Sequence, residues 1–261
     1  YEITLPGSEE EVQNKNLKDL LSSMEQFYAG LRGFNFTFEI AVAALREEIV
    51  FYAAVPDDKR ELFTKQLLGL FPEAKVIEQK DDYNIFNPDG VAVASIASLK
   101  TKPLLPLKTY DQFAYDPLNV IINSFAQLKR EGEGAAVQFV FAPADDSQFK
   151  SFQAALKRLR GGEKLKNILD ERDNFIGGFA QEIKGLALGG KEKKDDKPNT
   201  VDDNAVELVT RKTSSPMILT NIRLVASAAN RDGAEHILAD LEAAFNQFEE
   251  PGGNTLKFTA I

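Results

Sequence analysis

The chain of 261 residues has no cysteine, no tryptophan, two methionines and a single histidine, His236. Without thiols there is no disulfide, no thiolate nucleophile and no cysteine-ligated metal. One histidine rules out a multi-histidine metal site, and it lies beside the apolar Ile237 and Leu238 in a helical pattern, where a surface or boundary role is expected. No apolar run approaches the roughly 20 residues that a membrane-spanning helix needs. Positive charge is scarce as well: 31 Lys and Arg stand against 40 Asp and Glu, for a net charge of -9. That field repels polyphosphate backbones, so direct nucleic-acid binding by this segment is disfavoured.

What the chain does contain is enough apolar material for a substantial core, 43% of residues, with 19 phenylalanines that mostly fall at core periods. YEITL alternates as a short strand, and PGSEEE offers a turn and early acids for a helix start. Leu17, Leu20, Leu21, Met24, Phe27, Tyr28 and Leu31 recur at helical spacing before a stop at Gly33. FNFTFEIAVAALREEIVFYAAV reads as a hairpin with its tip at Arg46, Glu47 and Glu48. Asp57 and Asp58 favour the N-terminus of a helix carrying Leu62, Phe63, Leu67, Leu70 and Phe71, which Pro72 ends before the strand AKVIE. The order strand, helix, strand, strand, helix, strand is the split βαβ, or ferredoxin-like, motif.

The same order recurs with an interruption. VAVASIASLK is a strand small enough in its side chains to lie under helices, and Asp116 and Pro117 cap and open the helix PLNVIINSFAQLK. GAAVQFVFAPA and SPMILTNIRLVASAAN are strands, DGAEHILADLEAAFNQF is a helix packing through Ile237, Leu238, Leu241, Ala244, Phe245 and Phe248, and TLKFTAI is the last strand. The expected fold is therefore α+β: two tandem ferredoxin-like (βαββαβ) domains, 1–83 and 84–261. The second carries a helical and flexible insertion at about 145–214, placed at a hairpin tip where closure entropy grows slowly with length. Whether the halves share one sheet stays open at this point. The insertion comprises a helix around Phe149 to Leu159, a charged helix in EKLKNILDERDNF, the GLALGGK segment, the tract KEKKDDKPNTVDDN and a helix from Ala205 to Lys212. It is the expected place for a partner contact.

No catalytic, cofactor or metal residues stand out, and no cofactor is implied. GLALGGKE, Gly185 to Glu192, has the glycine and lysine spacing of a phosphate loop but a carboxylate where the motif needs a hydroxyl, and neither a strand before it nor a helix after it. The acid pairs Asp57 and Asp58, and Asp145 and Asp146, fit helix capping and dipole compensation better than metal binding. In KTKPLLPLKTYDQFAY, Lys100, Lys102, Lys108 and Tyr110 form a basic and aromatic stretch that could contact a partner, although a proline-bearing connector that packs its aromatics on the domain is the plainer expectation.

Three segments, FEIAVAALREEIVFYAAVPDDKRELFTKQLLGLFPEAKV, LPLKTYDQFAYDPLNVIINSFAQLKREGEGAAVQFVFAPA and RKTSSPMILTNIRLVASAANRDGAEHILADLEAAFNQF, together resemble the region preceding the motor in type IV secretion and conjugative DNA-transfer ATPases. The resemblance implies a non-catalytic accessory region that docks a motor to membrane or substrate partners. It implies a cytoplasmic place at the inner face of the membrane, and as partners a downstream motor domain, other subunits of a homo-oligomer and membrane secretion components. The start at Tyr1, without methionine or signal peptide, fits a piece of a longer protein whose ATPase domain is expected beyond Ile261. Two other classes compete with this reading. One is a ligand-sensing regulatory module of paired ferredoxin-like domains; the other is an NTPase using Lys191.

Overall fold

Large apolar side chains alternate with small or polar ones through most of the strand segments, so each strand has one face to bury. The computed structural model describes residues 1–4, 17–43, 48–79, 84–128, 132–170, 201–215 and 217–261, with side chains of the first helix described from residue 22. The strands are β1 Glu2–Thr4, β2 Phe36–Val42, β3 Val50–Ala54, β4 Lys75–Ile77, β5 Val91–Leu99, β6 Gly134–Pro143, β7 Ile218–Ala228 and β8 Leu256–Ala260. Among the described residues the α-helices are α1 Leu17–Leu31, α2 Arg60–Leu70, α3 Leu118–Phe125, α4 Asp146–Arg160, α5 Leu165–Asp170, α6 Asp203–Lys212 and α7 Arg231–Ala244. The chain is thus a mixed α/β protein, and its eight strands form one sheet in the order β4-β1-β3-β2-β6-β7-β5-β8. Every neighbouring pair is antiparallel.

The question of a shared sheet is answered at the centre. β2 and β6 pair over seven positions, from Phe36 opposite Phe141 to Val42 opposite Ala135, which joins the strands of the first 83 residues to those that follow. Helices α1 and α2 cover the outer part of one face, burying Phe27, Leu31, Phe63 and Leu67 with Ile3, Phe36, Ala53 and Phe141. Helices α3 and α7 cover its other part, burying Ile121, Phe125, Leu238 and Leu241 with Ile40, Val137, Leu224 and Ala226. Phe51 and Phe139 pack against both clusters, so the apolar layer continues across the seam. All four helices lie on the same side of the sheet, because paired residues share a face and these strand positions belong to one alternating set.

Residues 84–90, which lead into β5, cross the end of the opposite face. Ile85 is buried there against Ala41 and Ala136, and the Asn87 amide donates to Ser227 Oγ at 2.9 Å. Gly90 admits this approach: a Cβ on it would lie 2.3 Å from the carbonyl oxygen of Ala228.

Several local expectations are altered. Asp57 and Asp58 sit in a single 3-10 turn ahead of α2 and make no side-chain cap; Asp57 binds Arg60 at 2.9 Å and Asp58 binds Lys59 at 2.9 Å instead. Leu62 is 41% exposed, so the buried stripe of α2 narrows to Phe63 and Leu67. Helix α3 stops at Phe125, four residues before the expected end, because the Leu128 amide tightens onto the Phe125 carbonyl at 3.1 Å. Most of the hairpin tip, the PGSEEE helix start, GLALGGKE and the charged tract up to residue 200 lie outside the described residues, while the end of that tract is helical, with Asp202 capping α6 and Asp203 opening it.

Candidate functional site

Between β5 and α3, residues 100–117 run as a strap with a turn at 102–105, closed by the Leu105 amide on the Lys102 carbonyl at 3.2 Å, and a short 3-10 turn at Tyr110–Gln112. Pro103 and Pro106 remove two backbone donors, Pro103 at the second position of the 102–105 turn, while Leu104 and Leu105 are buried. Its outer side is held by Asn254, which is 2% exposed. The Asn254 side-chain amide donates to the carbonyls of Lys102 at 3.0 Å and Leu105 at 3.3 Å, its Oδ1 accepts from the Thr101 amide at 3.0 Å, and its backbone amide donates to Pro106 at 2.9 Å. Asn254 reaches this position from a Pro-Gly-Gly turn in which Gly252 has φ 75°.

A second lock lies one turn further along. The Thr109 amide donates to Gln112 Oε1 at 2.8 Å, which aims the Gln112 Nε2 group at Glu250 Oε2, 2.8 Å away. The other oxygen of that carboxylate accepts from Arg211 Nη1 at 3.1 Å. Glu250 thereby ties together the strap, the turn after α7 and the end of α6, with its side chain 9% exposed.

Of the four residues singled out on this stretch, Lys100 is exposed and hydrogen-bonds through its backbone to Thr255 at 2.9 Å. Lys102 is held by its carbonyl against Asn254. Lys108 places Nζ 4.4 Å from the centre of the Phe113 ring, and the Tyr110 hydroxyl donates to Glu25 of α1 at 3.2 Å. Lys108 and Tyr110 are thus engaged within the fold, as a packed connector requires. Asn254, Glu250, Gln112 and Arg211 carry the locks. The turn signal in EEPGGNT marked the place of Asn254, but nothing local in the sequence marks its partners some 150 positions away.

The strap carries the inserted helices. Helix α4 starts at Asp145, whose carboxylate accepts from the Ser147 amide at 3.1 Å; that hydrogen bond holds its pKa below the ordinary aspartate value. Phe152, Leu156 and Leu159 of α4, Ile168 of α5, and Ala205 and Val209 of α6 form a separate core closed by Leu104 and Leu105 of the strap. No strand residue belongs to that core, so the described helices of the insertion form an arm packed apart from the sheet. Its surface is basic from the end of α4 through the turn into α5: Lys157, Arg160, Lys164 and Lys166 are exposed, while Arg158 is paired with Glu163 at 2.6 Å. Burial lowers the pKa of Lys212 at the end of α6.

Elsewhere the surface offers less chemistry. His236 is exposed and lies 3.7 Å from Asp240. A groove beside α7, lined by Ala239, Glu242, Ala243, Asn246, Leu256 and Phe258, carries one carboxylate and no base. No cluster of three metal-ligating side chains occurs among the described residues, and no helix among them is long and apolar enough to cross a membrane. The sheet face turned away from the helices carries a polar ladder. Gln138 donates to Glu39 at 2.8 Å and accepts from Arg223 at 3.3 Å, and Arg223 also donates to Asn221 at 2.9 Å.

Fold and site together define a mixed α/β protein with an eight-stranded antiparallel sheet and a strapped helical arm. Residues 3–257 match a family described as a domain of unknown function, DUF8128, and the chain belongs to that family. No curated protein and no solved structure matches it.

Proposed function

We propose that the chain is a non-catalytic interaction region of a type IV secretion or conjugative DNA-transfer ATPase, built from two ferredoxin-like units and docking a motor to membrane or substrate partners. The ferredoxin-like reading is supported by strand order. Counted within each half, β4-β1-β3-β2 and β8-β5-β7-β6 are the same arrangement, each with its two sheet-covering helices on one side. The halves then meet through their second strands. The reading as an ATPase region rests on the three matching segments named above.

The observation that carries the interaction role is the arm. Helices α4 to α6, which build a core of their own apart from the sheet and are clamped through the strap by Asn254 and Glu250, present an already ordered basic surface at low ordering cost to a partner. In the assembled protein that partner is the motor domain, another subunit of a homo-oligomer or a membrane secretion component, at the cytoplasmic face of the membrane.

The test uses the full-length gene product. A nucleotide-binding motor is expected in the sequence beyond Ile261. Reversing the charge of Lys157 and Arg160 together should weaken assembly with the secretion partners while leaving the thermal stability of this region unchanged. A gene with no motor, or assembly indifferent to both substitutions, refutes the proposal.

A further inference from the structure

β8 is one edge of the sheet, and it is exposed along Lys257, Thr259 and Ala260. Its register with β5 fixes which way its backbone points. The Lys100 amide donates to the Thr255 carbonyl at 2.9 Å, and the Ile261 amide to the Ala94 carbonyl at 3.1 Å, each in register with the paired residues between them. Bonded and non-bonded pairs alternate along an antiparallel ladder, so Thr255, Lys257, Thr259 and Ile261 bond inward to β5. The N–H and C=O groups of Leu256, Phe258 and Ala260 therefore turn outward, and among the described residues nothing takes them. Helix α7 packs over β7 and β5, one strand short of this edge. That leaves an open groove of about 320 Å³ between β8 and α7, floored by the half-buried Leu256 and Phe258 and walled by Ala239, Glu242, Ala243 and Asn246.

An unpaired edge beside a helix groove suits an extended segment: its backbone takes the outward groups, and its alternate side chains enter the groove. We infer that β8 and α7 hold an extended segment of a partner protein as a ninth, antiparallel strand, reading an apolar residue opposite Phe258, then an acidic residue, then a basic one. Antiparallel pairing is the more stable kind and is what every pair in this sheet adopts. The residue order follows from the register. A partner residue opposite Phe258 shares the helix-covered face and points into the groove, where the small Ala239 and Ala243 leave room for a large side chain. The next residue stands opposite Lys257 on the other face, at a non-bonded position where side chains approach most closely. The one after returns to the groove opposite Leu256, beside the last turn of α7 with Glu242 and Asn246. Neither Lys257 nor Glu242 is in an ion pair among the described residues, so a partner acid and a partner base answer both. A second copy of β8 answers neither, because residues 255–261 contain no acid to set against Lys257 in any register. The groove does not depend on the chain belonging to an ATPase, so either idea can fail without the other.

The probe is a synthetic peptide, acetyl-Ser-Val-Thr-Leu-Glu-Lys-Thr-amide, whose leucine, glutamate and lysine fall opposite Phe258, Lys257 and Leu256. Fluorescence anisotropy of the labelled peptide with the 261-residue chain is expected to show saturable binding with a Kd of about 10–100 μM, as for a short strand docked through few side chains. Lys257→Glu, at an exposed position, should weaken binding by about tenfold, since it sets like charges opposite each other. Replacing the peptide's glutamate by lysine should restore binding to that variant and weaken binding to the wild type. Ala260→Pro removes an outward N–H without touching the bonds to β5, and should also weaken binding. On saturation, amide exchange should slow at Leu256, Phe258 and Ala260 more than at Lys257 and Thr259, which β5 already protects. Absence of binding up to about 1 mM, affinity indifferent to the charge at 257, or exchange that does not follow this alternation overturns the inference. Self-association of the chain that excludes the peptide overturns it as well, and makes a second copy the occupant.

Discussion

Ser95 is completely buried on the helix-covered face of β5, and its hydroxyl has no hydrogen-bond partner. A buried unpaired hydroxyl loses its water without replacement, so Ser95→Ala should be neutral or raise stability by up to about 1 kcal/mol in chemical denaturation. A clear loss would mean that the hydroxyl has a partner. Tyr28 makes the opposite kind of statement. Its ring lies 5.0 Å from that of Phe141, and burial pushes the phenol up to about 12 from 10.0. The unfolded phenol ionises first, so this contribution to stability is intact below pH 10 and is lost as the pH rises through 12. Tyr28→Phe should remove about 2–3 kcal/mol of that alkaline decline, which stability curves from pH 9 to 12 would register. Tyr28 was legible from its helical spacing, and the strand of Ser95 from side chains small enough to lie under helices. The unmet hydroxyl and the shifted phenol were not, because each depends on neighbours brought in from other strands.

Among the elements, the described strands fall within the runs that alternation picked out, since a two-residue period with β-branched and aromatic residues is a local signal. Helix extents were less legible. The last turn of α3 is decided by Leu128 packing into the core, and the exposure of Leu62 by which side of α2 meets the sheet. The strap was readable as a proline-bearing connector, but not the residues that hold it. Arg211 and Glu250 are 39 positions apart, and Gln112 and Glu250 are 138 apart. Removing the Arg211 side chain leaves a largely buried carboxylate with one partner fewer, at a cost of about 1–3 kcal/mol. Arg211→Ala should therefore lower thermal stability and speed amide hydrogen exchange in α6 well before it does so in β6. Equal exchange in the variant and the wild type would show that Glu250 does not hold the arm.

At the scale of the whole molecule, the two repeated strand orders were legible and their union was not, since no local pattern records which edge meets which. β2 and β6 share both main clusters, and Phe141, a residue of the second half, is buried in the core beneath α1 and α2. Residues 1–83 and 84–261 should consequently unfold together. Calorimetry is expected to give one transition for the sheet, with matching van't Hoff and calorimetric enthalpies. Phe141→Ala should cost about 3–5 kcal/mol and shift that single transition as a whole. Two separable peaks, only one of them moved, would count against a common core.

The seam also has a consequence for biosynthesis. Until β6 emerges and docks, the nascent chain carries β2 with a bare flank of seven residues, four of them large and apolar. An uncovered strand of that kind recruits whatever strand it meets. Truncation or slowed translation between residues 83 and 134 should thus yield inclusion bodies rather than a soluble half, whereas interruptions inside the arm, after β6 has paired, should be far better tolerated.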